Sequence, residues 1–206
     1  MNGKKLIVFV VLALVAIFAA WMIISPQPEK YEYEAATTTA SNAGNAGNTY
    51  SNETFGFEVK VPAGFTVDES YLNQDLGPGR EIPGVAFRIP ADITTGTNLS
   101  DDSYVAIEEL SDIECSPSAF IDPASQESEA TIGNNTYTVS SNTGAAAGNI
   151  YEETVHVMQK ENRCYDVRYF IHSSNIGNYP AGAVTAFDRK KLIASFDELA
   201  GSLVIH

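Results

Sequence analysis

The stretch 51-SNETFGFEVKVPAGF-65 decides how the globular part of this chain begins. From Phe55 to Val61, two phenylalanines and two valines alternate with glycine, glutamate and lysine, which is the two-residue period of a strand with one apolar face. Pro62-Ala63-Gly64 ends the strand, because proline cannot donate to a sheet and glycine permits a tight turn. The stretch therefore predicts a core strand, and nothing in it indicates catalysis.

Further strands are predicted towards the C-terminus by the same alternation and by β-branched or aromatic content. They cover residues 84–90, 103–110, 129–132, 136–140, 150–158 and 164–172. Gly133-Asn134-Asn135 indicates one hairpin turn, and residues 159–163, QKENR, form the loop of a second hairpin. We place Val157 opposite Tyr165 in the second hairpin.

The C-terminus contains the clearest helical pattern outside the N-terminal segment. Apolar residues between Leu192 and Ala200 follow a 3.6-residue period and form one stripe. Asp188 is the predicted N-cap and Gly201 the predicted C-cap, after which SLVIH reads as a final strand. A shorter helix is predicted to start at Ser116-Pro117. The fold class is therefore α+β, with a single domain built on an antiparallel sheet.

Two parts of the chain resemble the PsbP-like superfamily. They are the opening strand, with Tyr50, Gly56-Phe57 and the closing Pro62-Ala63-Gly64-Phe65, and the terminal helix that leads into a last strand at residues 196–205. The resemblance implies an antiparallel sheet covered by helices on both faces, a PsbP-like α/β/α sandwich. It also implies a non-catalytic module that binds other proteins, and it assigns no binding residue in this sequence.

The N-terminal residues 1–25 are predicted to be a transmembrane anchor. Residues 6–24 are uninterruptedly apolar, and a helix of that length spans roughly 28 Å, close to the thickness of a bilayer core. Lys4 and Lys5 precede this run and acidic residues follow it, which orients the N-terminus towards the cytoplasm. The protein is thus expected to be single-pass, with its globular domain periplasmic or extracellular. A cleaved signal peptide is the alternative.

Residues 26–49 are rich in small polar residues and are predicted to be a flexible linker, so that the extracytoplasmic α+β domain covers 50–206. The whole chain carries 12 basic and 26 acidic residues, a net charge of −14. Nucleic acid is an unsuitable partner for such a protein, because binding to phosphates requires positive charge. The expected partners are the lipid bilayer, through residues 6–24, and another envelope protein.

Cys115 and Cys164 are the only cysteines. An exported domain lies where disulfides persist, so we predict a bond between them. Closing a loop of about fifty residues is worth roughly 4 kcal/mol in the chain-entropy description. Two buried thiols are the alternative. No C-x-x-C motif indicates a redox-active site.

His156, Asp166 and Arg168 form a polar constellation that invites a chemical interpretation. In the hairpin proposed above they share one face, where a carboxylate next to a histidine could serve a general base or a metal ligand. The plainer interpretation is a polar pair on a partly covered sheet. No third ligand is evident, so no metal or cofactor is expected. Asp101-Asp102 could hold calcium, but side chains of neighbours on a strand point to opposite faces.

No G-x-S-x-G, H-E-x-x-H, P-loop or S-x-x-K motif occurs, so no catalytic residue is assigned and a non-enzymatic role is favoured. The leading hypothesis is a membrane-anchored binding or assembly module. An envelope hydrolase or metal-dependent enzyme that uses His156 and Asp166 is the second. A small-ligand-binding domain, with its pocket between sheet and helix, is the third.

Overall fold

The structure is a computed structural model that describes residues 48–206. The predicted anchor and all of the predicted linker before Asn48 lie outside these residues. The described part is mostly antiparallel β-sheet with two α-helices, which confirms the predicted α+β class. Its first strand begins at Thr49, one residue before the predicted start of the domain.

Eleven strands and two α-helices follow one another in the described residues 48–206. The strands are β1 (Thr49–Asn52), β2 (Phe57–Lys60), β3 (Thr66–Asp68), β4 (Leu72–Asn73), β5 (Ile82–Arg88), β6 (Tyr104–Ser111), β7 (Ser128–Ile132), β8 (Asn135–Ala146), β9 (Asn149–Lys160), β10 (Arg163–Ser174) and β11 (Val204–Ile205). The α-helices are α1 (Ala91–Thr94) and α2 (Arg189–Gly201), and 3₁₀ turns cover Pro117–Ala119 and Ile176–Asn178.

The strands form two sheets. The larger has the order β3-β5-β6-β10-β9-β8-β7, with β4 beside β5, and the smaller has the order β1-β2-β11. All ladders between these strands are antiparallel. The predicted opening strand, β2, pairs with β11, so the two ends of the domain meet.

One face of the larger sheet holds the main apolar core, and we call it the helix face. It carries Tyr165, Val167 and Tyr169 of β10 and packs against β2 and α2. Phe196 of α2 lies 5.1 Å from the Tyr169 ring, centroid to centroid. The Asp188 side chain accepts a hydrogen bond from the Lys191 N–H, as predicted for the N-cap. Helix α2 includes Gly201, so its C-cap is Ser202 instead of the predicted glycine.

The opposite face, which we call the ion face, is covered differently from the predicted sandwich. Residues 112–126 lie over it, with only a 3₁₀ turn at Pro117–Ala119, and Phe120 and Ile121 pack on Val155 and Val157. Both α-helices contribute to the helix face instead, since Ile93 of α1 also packs there. A disulfide between Cys115 and Cys164 fastens the covering segment to β10, as predicted.

The predicted register of the β9–β10 hairpin is wrong by one residue. Tyr165 lies opposite Met158, and Asp166 lies opposite Val157. The loop has two residues, Glu161 and Asn162, instead of the five predicted, and both strands extend to meet it. A shift of one residue exchanges the faces of all side chains of one strand relative to its partner. His156 therefore shares a face with Val167 and not with Asp166.

Between residues 48 and 206, neither helix has the length and apolar character needed to cross a bilayer.

Candidate functional site

A buried ion cluster occupies the centre of the ion face, around Arg168 of β10. The Arg168 side chain is only 1% exposed, and that of Glu108 on β6 is 0% exposed. Arg168 donates from Nε and Nη2 to the two Glu108 carboxylate oxygens, at 2.7 and 2.9 Å. Nη2 also donates to the Phe120 carbonyl at 2.7 Å, and Nη1 donates to Glu153 on β9. This paired geometry on a planar guanidinium is the strongest arrangement that an arginine and a carboxylate can adopt.

Glu108 is held from a second side by residues that precede β5. The Tyr71 hydroxyl donates to Glu108 Oε1 at 2.6 Å, and the Asn73 amide donates to the same oxygen at 3.3 Å. Burial, followed by the neighbouring Glu108 carboxylate, raises the pKa of the Tyr71 hydroxyl far above its usual range, so Tyr71 remains a donor. The Glu108 carboxylate therefore has a complete set of donors in the interior.

Asp166 lies directly opposite Glu108 in the β6–β10 ladder and is 0% exposed. Burial and then the facing Glu108 carboxylate raise the pKa of Asp166 well above its usual range, because two adjacent buried carboxylates repel. The His156 backbone N–H donates to Asp166 Oδ1 at 2.8 Å. Asp166 Oδ2 has no hydrogen-bond partner and lies 3.9 Å from Arg168 Nη2. Asp166 is thus held towards its neutral form.

The His156 imidazole lies on the helix face, away from this cluster. Its Nδ1 is 2.9 Å from the Val167 carbonyl oxygen, and its ring packs 4.3 Å from the Tyr169 ring. Burial lowers the pKa of His156, so the ring is held neutral with Nδ1–H as the donor. The structure therefore brings Asp166 and Arg168 together and separates both from the predicted histidine. No base or metal ligand pair of the predicted kind is formed by these three side chains.

The sequence analysis predicted neither Glu108 nor Glu153, which complete the cluster, as a partner of Arg168. A signal was present in the sequence, because Asp166 and Arg168 are two residues apart and so share one face of a strand. Two buried charges on one face require partners from neighbouring strands. The described residues contain no group of three or more His, Cys, Asp or Glu side chains that could hold a metal ion.

A row of aromatic rings continues the ion face beyond the cluster. Tyr104 and Phe170 stack at 5.0 Å, and Tyr151 and His172 stack at 4.5 Å. His172 Nδ1 bonds to the Asp102 carboxylate at 2.8 Å, a pair that sequence analysis did not propose. Burial opposes ionisation of Asp102, but hydrogen bonds from His172 and Ser100 lower its pKa. The Asp102 carboxylate is thus hydrogen-bonded to His172. Among the described residues, no group of acidic side chains that could hold calcium surrounds Asp102.

Two recesses open on the surface of the described domain. The first, which we call the tyrosine recess, has a volume of about 450 Å³ and is lined by Asp68, Tyr71, Asp75, Arg88 and Tyr104 among others. Its Arg88 is paired with Asp68 at 2.9 Å. The second, which we call the β11 groove, has a volume of about 500 Å³. Its lining includes Lys60, Asn135, Met158, Lys160, Val204 and Ile205.

Comparison of the sequence with protein-family profiles and with curated proteins finds no match. Among solved structures, the chain is similar to the solution structure of cyanobacterial PsbP (CyanoP) from Synechocystis sp. PCC 6803, at 13% identity and a TM-score of 0.43. That similarity covers 82% of this chain and 99% of CyanoP.

A protein from Bacteroides thetaiotaomicron VPI-5482, whose crystal structure was determined at 1.50 Å, is similar at 14% identity and a TM-score of 0.44. The similarity covers 79% of this chain, which spans 49% of the Bacteroides protein.

Proposed function

We propose that this chain is a membrane-anchored extracytoplasmic module of the PsbP-like α+β type that works by binding another envelope protein. One observation supports this proposal above the enzymatic alternative. The ionisable groups with the chemistry for catalysis, Glu108, Asp166 and Arg168, are closed from solvent and engaged with one another, and the tyrosine recess reaches only Tyr71 and Asn73, which donate to Glu108, and not Glu108 itself.

The enclosure of the cluster has a physical consequence for its role. An arginine whose guanidinium already donates to Glu108, Glu153 and a carbonyl has few donors left for a substrate. A buried ion pair of this kind contributes to the specificity of the packing and leaves the surface to make contacts. The polar cluster is therefore assigned to the architecture of the domain, and binding is assigned to its surface.

The test is crosslinking of the full chain in the cells that produce it, with captured neighbours identified by mass spectrometry. We expect one reproducible envelope protein, lost when residues 50–206 are deleted and kept when the anchor is exchanged for an unrelated one. The matched control for the enzymatic alternative is His156→Ala, which the proposal expects to leave this capture unchanged. Absence of any specific protein neighbour would contradict the proposal.

A further inference from the structure

The β11 groove lies at one edge of the smaller sheet. Strand β11 is an edge strand of the order β1-β2-β11, and within residues 48–206 no strand pairs with its outer side. The His206 N–H donates to the Gly56 carbonyl next to β2 at 2.9 Å, so the N–H and C=O of the preceding residue, Ile205, point away from β2. An edge with a free donor and acceptor is a template for one more strand.

The side chains around this edge are apolar and open. Val204 is 49% exposed, and Met158 and Ile205 are partly buried beside it in the groove. The carbonyl of Leu203 already accepts from the Asn135 amide at 2.9 Å, so Ile205 offers the backbone groups that are still available. The groove therefore combines one backbone pairing position with an apolar surface for side chains of alternate residues.

Two cationic side chains line the β11 groove. Lys60 and Lys160 both line it, and neither has a carboxylate within ion-pair distance in the described part of the chain. Of the other described cations, Arg88, Arg163, Arg168 and Arg189 are paired with acidic residues, whereas Arg80, Lys190 and Lys191 are also without an ion-pair partner. In a protein with a net charge of −14, two unpaired lysines at one groove create a local site for negative charge.

We infer that the β11 groove binds an extended segment of a partner protein, which pairs with β11 as an added strand and places acidic side chains next to Lys60 and Lys160. Apolar side chains of the same segment contact Met158 and Val204. This inference rests on the proposed binding function and gives it a surface and a partner chemistry. An anionic membrane surface also carries negative charge, but it offers no strand to pair with Ile205.

The experiment places a photoreactive benzoylphenylalanine at Val204 of the full chain in the producing cells. A second protein carries the same residue at Leu72, which is 46% exposed and lines the tyrosine recess, and is the matched control. Crosslinked peptides are sequenced by mass spectrometry. The Val204 probe is then combined with Lys60→Glu and Lys160→Glu, or with Lys190→Glu and Lys191→Glu, which change the net charge equally on exposed positions of α2.

We expect the Val204 probe to capture one defined segment, with acidic residues within a few positions of the crosslink, in a protein that the Leu72 probe does not capture. The yield should fall about tenfold with the Lys60 and Lys160 reversals, equivalent to about 1.4 kcal/mol, and stay unchanged with the control reversals. Thermal unfolding of each variant checks that the domain is intact.

Three results would overturn the inference, and they differ in what else they affect. Capture of the partner at Leu72 alone would place binding elsewhere and leave the proposed function standing. Crosslinks from Val204 to phospholipid alone, with binding to mixed phosphatidylglycerol and phosphatidylcholine vesicles that requires Lys60 and Lys160, would assign the groove to the membrane. Capture of no protein by either probe would remove the groove assignment, and it would also remove the proposed function if crosslinking of the full chain found no protein neighbour.

Discussion

The two faces of the larger sheet bury their side chains by different interactions, although strand β10 contributes residues to both faces. On the helix face, Val167 and Tyr169 pack against α2 by shape and apolar area. On the ion face, Arg168 and Glu108 are equally buried but depend on charged and polar partners. An apolar side chain that loses one neighbour keeps its other contacts. A buried charge that loses its partner has neither that partner nor water to interact with.

The largest expected effect comes from Arg168→Ala, which removes the cation of the ion face. Glu108 and Glu153 would keep their burial and lose their main donor, and breaking such a pair typically costs about 3–5 kcal/mol. We expect a loss of this size in the free energy of unfolding, measured by urea denaturation. Arg189→Ala is the control, because it breaks the exposed pair with Glu152 and should cost less than about 1 kcal/mol. Equal losses for the two variants would contradict the distinction drawn here.

The next effect tests the helix face through Leu199→Ala. Leu199 of α2 is fully buried in the main core, and truncation of such a leucine typically costs about 3 kcal/mol, with a range set by how well the cavity collapses. Leu199→Met should restore most of the lost stability, because it conserves volume. For Arg168, in contrast, a residue of similar volume without the charge cannot restore stability, because Glu108 would stay unpaired. A variant Arg168→Met that is as stable as the wild type would show that the ion face does not need the charge of Arg168.

A smaller loss of stability is expected when one tyrosine hydroxyl is removed from each face of the sheet. Tyr71→Phe leaves the buried Glu108 carboxylate without its 2.6 Å donor and should cost about 2 kcal/mol. Tyr169→Phe on the helix face removes a 2.9 Å bond to the partly exposed Asp197, whose lost donor water can replace, and should cost about 1 kcal/mol or less. Denaturant midpoints at constant m-value give the two numbers directly. The reverse order would show that Glu108 is not held as described.

The smallest expected effect is the change in stability with pH that His156 causes. Burial lowers the pKa of His156 below its usual value of 6.5, so the folded domain binds fewer protons than the unfolded chain as the pH falls below that value. The stability that neutral His156 contributes to the folded state is complete above about pH 6.5. It is lost as the pH falls towards the pKa of His156 in the folded state, by at most about 1.4 kcal/mol for each pH unit.

Burial raises the pKa values of Asp166 and Glu153, whose contributions are complete at low pH and are lost as the pH rises. The informative quantity is therefore the difference in pH dependence between the wild type and His156→Gln. We expect the wild type to lose more stability than this variant between pH 7 and pH 5. Parallel curves would contradict the buried, neutral imidazole.

Much of the fold could be predicted because periodicity records burial directly. The alternation from Phe55 to Val61 and the stripe on α2 each reflect one buried face, and the structure confirms both elements. The Asp188 cap and the pairing of Cys115 with Cys164 were likewise predicted from local chemistry and from a count of two.

The candidate site could not be predicted to the same degree. Its position depends on the register of β9 and β10, which a turn of two residues at Glu161 and Asn162 decides. With the loop assumed longer, His156 was placed beside Asp166. Glu108 lies in the run YVAIEEL, where only its pairing across β6 and β10 reveals that one glutamate is buried and its neighbour Glu109 is not.

Two partners of Arg168 lie far from it along the chain, at sequence separations of 60 residues for Glu108 and 48 for the Phe120 carbonyl. A chain that emerges N-terminus first, from a ribosome or through an export channel, presents Glu108 long before its cation is available. The centre of the sheet therefore cannot be completed strand by strand, and its formation waits for β10. We expect folding to follow full emergence of the domain as one late, cooperative step, with the rate set by these long-range contacts.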